Sequence, residues 1–249
     1  VRKVTPAFWA SLAIVLPFVA WGAVSPGFLV EAAEAARSFL VDRFGWFYLL
    51  TATTLLVCVV GLAASRFGRV RLGGEHERPE YSTRAWFAML FSAGMGIGLV
   101  FWGVAEPVAH FTAPPAADPR STEAAREALR YSFFHWGLHP WAIYAVLALA
   151  LAYARYRTGA PATVSAALRP VLGRRAEGAL GRAVDVAAVV ATVFGVATSL
   201  GLGAAQVNGG LAALRGDIPV TSGVQLGVIA VVTVLFLLSA LSGLDRGIK

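Results

Sequence analysis

Six runs of about twenty apolar residues dominate this chain, at 8–24, 46–64, 84–105, 133–153, 184–211 and 223–241. A run of that length with almost no charge crosses a bilayer as a helix. The expected fold is therefore an all-α integral membrane protein with about six transmembrane helices. Composition agrees: 57% of the 249 residues are hydrophobic and 14% are charged, against about 25% charged in soluble domains. A short amphipathic stretch at 26–41 is expected to lie at the surface between the first two spans. Run 8–24 is a full span with no clean cleavage site after it, so no signal peptide is expected. The lone cysteine, Cys58, sits in an apolar run. That excludes an internal disulfide and predicts a buried thiol.

The net charge of +7 is distributed by side. Six crossings put 15 of the 21 Lys and Arg residues on the side of the N-terminus. The other side receives six, Arg37, Arg43, Arg120, Arg126, Arg130 and Arg215, nearly cancelled by acids such as Glu31, Glu34 and Glu123. Basic residues stay on the cytoplasmic side. The N-terminus is therefore expected in the cytoplasm, and the positive charge is a topology signal rather than a nucleic-acid footprint.

The third span contains SAGMGIGLVFWGVAEP, with Gly94, Gly96 and Gly98 bracketing its midpoint, Met95. Each glycine costs a helix roughly 1 kcal/mol relative to alanine. One reading is a helix built to come apart at mid-membrane, where freed carbonyls can hold a cation. The other is close helix packing, although packing motifs use i, i+4 spacing rather than i, i+2, i+4. Glu106 follows, solvated at the interface or part of an outer gate, with Pro107 expected to end the helix. The fourth span opens with Trp136, Trp141 and Tyr144, plus His135 and His139. The aromatics fit an interfacial belt or a cation–π cage for a quaternary ammonium. The two histidines lack the glutamate of a zinc helix. In the fifth span Thr192, Thr198, Ser199, Gln206 and Asn208 lie among Gly195, Gly201 and Gly203. This suits an interior helix with hydroxyls bonded to backbone, or a Thr192 oxygen offered to an alkali cation. Glu106 and Asp185 are the only acids near the membrane and both sit at span ends, which leaves no paired acids for hydrolysis. No charge rings or carbonyl filters of a channel are visible.

Four stretches, MLFSAGMGIGLVFWGVAEPVAHF, HWGLHPWAIYAVLALALAYARYR, ATVFGVATSLGLGAAQVNGGL and SALSGLDRGIK, resemble in the same order the betaine/carnitine/choline transporter (BCCT) family. The resemblance covers essentially the whole chain. It implies a partial LeuT-like inverted-repeat fold, with residues 1–83 as two peripheral helices and a cytoplasmic loop. Residues 84–249 would be the first four helices of a five-helix repeat. It implies a secondary transporter fragment, not an enzyme, importing glycine betaine, choline or carnitine by alternating access. No cofactor is expected beyond Na⁺ as coupling ion. The glycines 94, 96 and 98 match the family's unwound helix, backbone at Ser92 and Met95 matches its Na⁺ ligands, and Met95 also borders the substrate. Trp136, Trp141 and Tyr144 match the aromatics that enclose a trimethylammonium group. Gly98 stands where proton-coupled choline carriers tend to have aspartate, which favours sodium. Thr192 matches the first hydroxyl of a second Na⁺ site, but Val196 occupies the position of the second. The implied partners are the quaternary amine, membrane lipid, the C-terminal half of the same transporter and two further copies in a homotrimer, with no nucleic acid. The implied location is the bacterial inner membrane. The rival readings are another LeuT-like amine or amino-acid symporter and, in a different class, a membrane channel or sensor.

Overall fold

A computed structural model describes residues 5–74, 76–94 and 96–242. The described residues are helical, with no strand among them. Helix α1 spans Pro6–Val24, capped by Thr5, whose hydroxyl accepts from the Phe8 N–H. A one-residue corner at Ser25 leads into α2, Pro26–Ala64, with Pro26 at the first helical position, where its missing N–H costs nothing. Then follow α3 (Thr83–Gly94), α4 (Ile97–Thr112), α5 (Thr122–Trp136) and α6 (Leu138–Ala152). A π-helical turn occupies Tyr153–Arg157, followed by the short α7 (Val164–Ala167) and α8 (Arg169–Leu172). The chain then runs through α9 (Ala179–Arg215) and α10 (Ser222–Ser242).

Among the described residues, five helices are long and apolar enough to cross a membrane: α1, α2, the run 122–157 containing α5 and α6, α9 and α10. The remaining expected crossing, 84–105, is occupied by α3 and α4, of 12 and 16 residues. Each is shorter than the roughly 20 residues a span requires.

The chain forms two compact units. The first comprises residues 1–77 and 134–193. Here α2 packs on α1 and α6. At the α1–α2 corner the rings of Trp21 and Phe28 approach to 5.5 Å. A side chain at Gly22 would begin 3.1 Å from Leu29 Cδ2, so glycine sets how closely the two helices approach. The second unit comprises 78–133 and 194–249. In it Glu127 of α5 reaches back to the preceding loop, where its Oε2 accepts from the Ala116 and Ala117 N–H groups, both at 3.4 Å. Its Oε1 takes the Arg130 guanidinium at 3.1 Å.

The apolar core is built of small residues: Ala124, Ala128, Ala142, Ala154, Ala176 and Ala204 are buried. Large side chains such as Trp46, Leu50, Phe236 and Leu237 are exposed. Membrane helices pack in this way, with small residues letting backbones approach and large apolar ones facing outward.

Three expectations need correction. The stretch 26–41 is not a separate surface segment but the first part of the 39-residue α2. Nothing between Val41 and Trp46 breaks a helix except Gly45, and one glycine costs only about 1 kcal/mol. Pro107 does not end its helix but lies inside α4, which runs five residues further. One lost backbone bond does not outweigh the apolar turns on both sides. Cys58 is exposed on α2, not buried. An apolar run in a membrane helix gives no sign of which face points inward.

Candidate substrate and ion site

Helix α3 stops at Gly94 and α4 begins at Ile97. Gly96 between them is extended, φ −64° and ψ 171°. Any residue can adopt that conformation, so glycine is not demanded there by stereochemistry. It weakens the helix instead, together with Gly94 and Gly98, by leaving the backbone free to choose. The Gly96 carbonyl starts α4, accepting from the Leu99 and Val100 N–H groups at 3.0 and 3.3 Å. No side chain caps that end. A helix end leaves its last four carbonyls and first four N–H groups without intrahelical partners. The negative end of one helix and the positive end of the next therefore come within three residues of chain, near the middle of a 30-residue stretch. Such an arrangement offers oxygens to a cation from one side and N–H groups to a carboxylate from the other.

Of the residues singled out in the sequence, Ser92 lies exposed in the last turn of α3, Gly94 is its final residue, and Gly98 is in the first turn of α4. Met95 lies outside the described residues, as does most of the C-terminal motif. A side chain at Gly98 would meet nothing within 4 Å among the described atoms.

Within the first unit, Trp141 and Tyr144 share α6, their rings edge to face with centroids 6.1 Å apart. Both are exposed, at 50% and 67%. Trp136 is set apart from them: Gly137, with φ −89° and ψ −138°, divides α5 from α6. The same break takes His135 and His139 off one continuous helix. The His139 ring lies 4.8 Å from that of Phe134. Thr192 donates its hydroxyl to the Ala188 carbonyl at 2.8 Å, and Thr198 to that of Phe194 at 2.9 Å. A hydroxyl that donates backward keeps oxygen lone pairs for a cation. Val196 presents only methyl groups.

Three polar residues do structural work that the sequence did not reveal. Glu106 is buried beside His110 of the same helix, with Oε1 to Nε2 at 3.4 Å, and does not sit in water at the membrane face. The i, i+4 spacing in EPVAH was the available signal. Asp185 accepts from the Ser165 N–H at 2.9 Å and from its hydroxyl at 2.7 Å, tying α7 to the base of α9. Asn208, fully buried, donates to the Pro219 carbonyl at 3.0 Å and accepts from the Thr221 N–H at 3.2 Å. Its partners are backbone groups of the α9–α10 loop, which no sequence pattern discloses.

Comparison with known proteins sets these features in a family. The model of BCCT, the betaine/carnitine/choline family transporters, matches residues 6–249. The glycine betaine transporter OpuD of Bacillus subtilis is 51% identical over 249 residues, covering 100% of this chain and 48% of that protein. The ectoine/hydroxyectoine transporter of Virgibacillus pantothenticus is 44% identical over 98% of this chain and 48% of its own length. The high-affinity choline transport protein of Escherichia coli K12 is 42% identical, over 99% of this chain and 36% of its own. The chain spans about half the length, or less, of these curated relatives. Family and apolar helices together define a membrane-embedded protein of a transporter family, not an enzyme, and the chain belongs to the BCCT family.

Proposed function

We propose that residues 1–249 form the first half of a secondary transporter that imports a quaternary ammonium compound, glycine betaine foremost, coupled to Na⁺ by alternating access. The observation that carries this reading is the interruption between Gly94 and Ile97. Unwound backbone at the midplane is tolerated only where it lines a cavity, and it marks the binding region of secondary transporters. Backbone carbonyls at Ser92 and Met95 hold Na⁺, with Thr192 contributing to a second ion. Trp136, Trp141 and Tyr144 supply aromatic faces to the trimethylammonium group, each worth about 2 kcal/mol or more when desolvated. Gly98, in place of a carboxylate, favours sodium over protons. Residues 1–83 are the peripheral part and 84–249 begin the first transport repeat. The C-terminal half of the transporter completes the site, and three copies assemble in a bacterial inner membrane with the N-terminus in the cytoplasm. Betaine is preferred to choline and ectoine because the 51% identical relative is a glycine betaine transporter.

The test is uptake of radiolabelled glycine betaine into proteoliposomes holding the full-length transporter that contains this chain. An inward Na⁺ gradient drives uptake, a proton gradient alone does not, and residues 1–249 alone transport nothing. Trp141→Leu raises KM about thirtyfold, the loss of one desolvated cation–π contact. Uptake driven by protons alone, or ectoine outcompeting betaine, would reassign the coupling ion or the substrate.

A further inference from the structure

In the first unit α2 ends at Ala64, α6 ends at Ala152 and α9 begins at Ala179. A groove of about 1560 Å³ lies at this shared end. It exceeds the roughly 300–1,000 Å³ usual for small-molecule sites. One wall is apolar and comes from membrane-crossing helices and the turns that follow them, with Leu62, Phe67, Leu149 and Tyr153 exposed along it. The other end is polar and includes Arg169 and Arg182. The π-helical turn shapes the junction: the Thr158 N–H reaches back five residues to the Tyr153 carbonyl, and the Ala160 N–H six residues to that of Ala154. The Arg157 guanidinium ties this turn to the Gly73 carbonyl at 3.0 Å.

Charge is one-sided here. Segments 66–72, 153–159 and 163–185 carry nine arginines and two acids, Glu177 and Asp185. Both acids are engaged. Asp185 holds Ser165, and Glu177 pairs with Arg169 at 2.9 Å. That pair is mostly solvent-exposed, so it holds Arg169 only weakly. Arg182 is exposed and makes no ion pair among the described residues.

We propose that this groove binds a phospholipid with an anionic headgroup, its acyl chain along the Leu62–Tyr153 wall and its phosphate at Arg169 and Arg182. An apolar trough ending in arginines, at the end where membrane helices meet the basic side of the chain, matches an anionic lipid of the cytoplasmic leaflet. A free phosphate would use only the arginine end and leave the wall bare. A helix seated in the groove would bury Arg182 against apolar surface, which is costly without a paired carboxylate. The inference rests on membrane embedding, on the groove and on the proposed orientation that puts this end at the cytoplasm, and is independent of substrate and coupling ion.

Native mass spectrometry of the full-length transporter, titrated separately with phosphatidylglycerol and phosphatidylcholine, reads it directly. Phosphatidylglycerol is retained at least fivefold more strongly. Arg182→Gln weakens that retention about fivefold, the contribution of one basic residue near an anionic lipid, and Arg169→Gln with Arg182→Gln weakens it further. Ala150→Trp, placed on the exposed apolar wall, displaces the lipid. Arg126→Gln, an exposed arginine of the second unit, changes nothing. Equal retention of the two lipids overturns the proposal. So does unchanged phosphatidylglycerol binding in the double variant, or displacement of the lipid by millimolar inorganic phosphate. Ala150→Trp lowering thermal stability while bound lipid stays constant would show that protein, not lipid, fills the groove.

Discussion

Two glycine-rich stretches of this chain behave in opposite ways. Between α3 and α4, Gly94, Gly96 and Gly98 coincide with a complete interruption. In α9, Gly195, Gly201, Gly203, Gly209 and Gly210 lie inside a helix of 37 unbroken residues. The second stretch has more glycines, so number does not decide the outcome. Density does: three alternating glycines put about 3 kcal/mol of lost helix preference into little more than one turn. In α9 a larger total, about 5 kcal/mol, is spread over several turns, each bridged by neighbours that hold the helix. Its C-terminal part is also pinned from outside, because Asn208, next to the Gly209–Gly210 pair, is locked to the following loop. A helix can absorb glycine where something else fixes its backbone, and parts where nothing does.

The largest expected effect tests the interruption itself. Replacing Gly94, Gly96 and Gly98 together by alanine restores about 3 kcal/mol of helix preference, a shift of roughly a hundredfold toward a continuous helix. Na⁺-driven betaine uptake by the full-length transporter should fall by up to that factor, while melting temperature in detergent holds or rises. Uptake that survives, or stability that falls with it, would mean that these glycines serve packing.

Next comes the pin on α9. Asn208→Ala removes two hydrogen bonds, one to the Pro219 carbonyl and one from the Thr221 N–H, each worth about 0.5–1.5 kcal/mol. Hydrogen exchange should speed up tenfold or more in the second half of α9 and hardly change in α1. If exchange there is unaltered, the helix withstands its glycines unaided and the comparison fails.

A smaller effect is expected at Gly98, where a side chain has room. Gly98→Asp adds a carboxylate one turn from the break and should make uptake respond to a proton gradient while weakening its Na⁺ dependence severalfold. Unchanged dependence at normal protein levels would argue against an ion near this turn. The smallest is Gly201→Ala in α9, also open to a side chain. It should add up to about 1 kcal/mol of stability and alter uptake less than twofold. A loss of uptake as large as that of the triple variant would erase the distinction between the two stretches.

The spans were legible because a bilayer imposes length and apolarity on sequence directly. Their joints were not. The union of 26–41 with the following span was hidden by Asp42 and Arg43, which read as a loop although a helix that projects past the membrane carries charge at no cost. Helix α5 begins at Thr122, well before the apolar run, because the alternation of Glu123, Arg126, Glu127 and Arg130 is a polar helix face rather than a connection. The glycines, the aromatics of α6 and Thr192 could be named as candidates from residue type and spacing, and their proposed roles come from the family resemblance. Glu106, Asp185 and Asn208 were visible only as polar residues near or within spans. Their roles depend on backbone groups or side chains that folding brings to them.

Asn208 is followed by glycine, the pair most prone to spontaneous deamidation, in which the next backbone nitrogen attacks the side-chain amide. Here that nitrogen belongs to a helix and both amide atoms are held, so the reaction waits for the α9–α10 corner to open. Each opening carries a small chance of leaving a carboxylate where the Pro219 carbonyl needs a donor, after which the corner cannot close as before. The gain of one mass unit at this position is therefore a slow molecular clock, counting how often the membrane lets this part of the protein come undone.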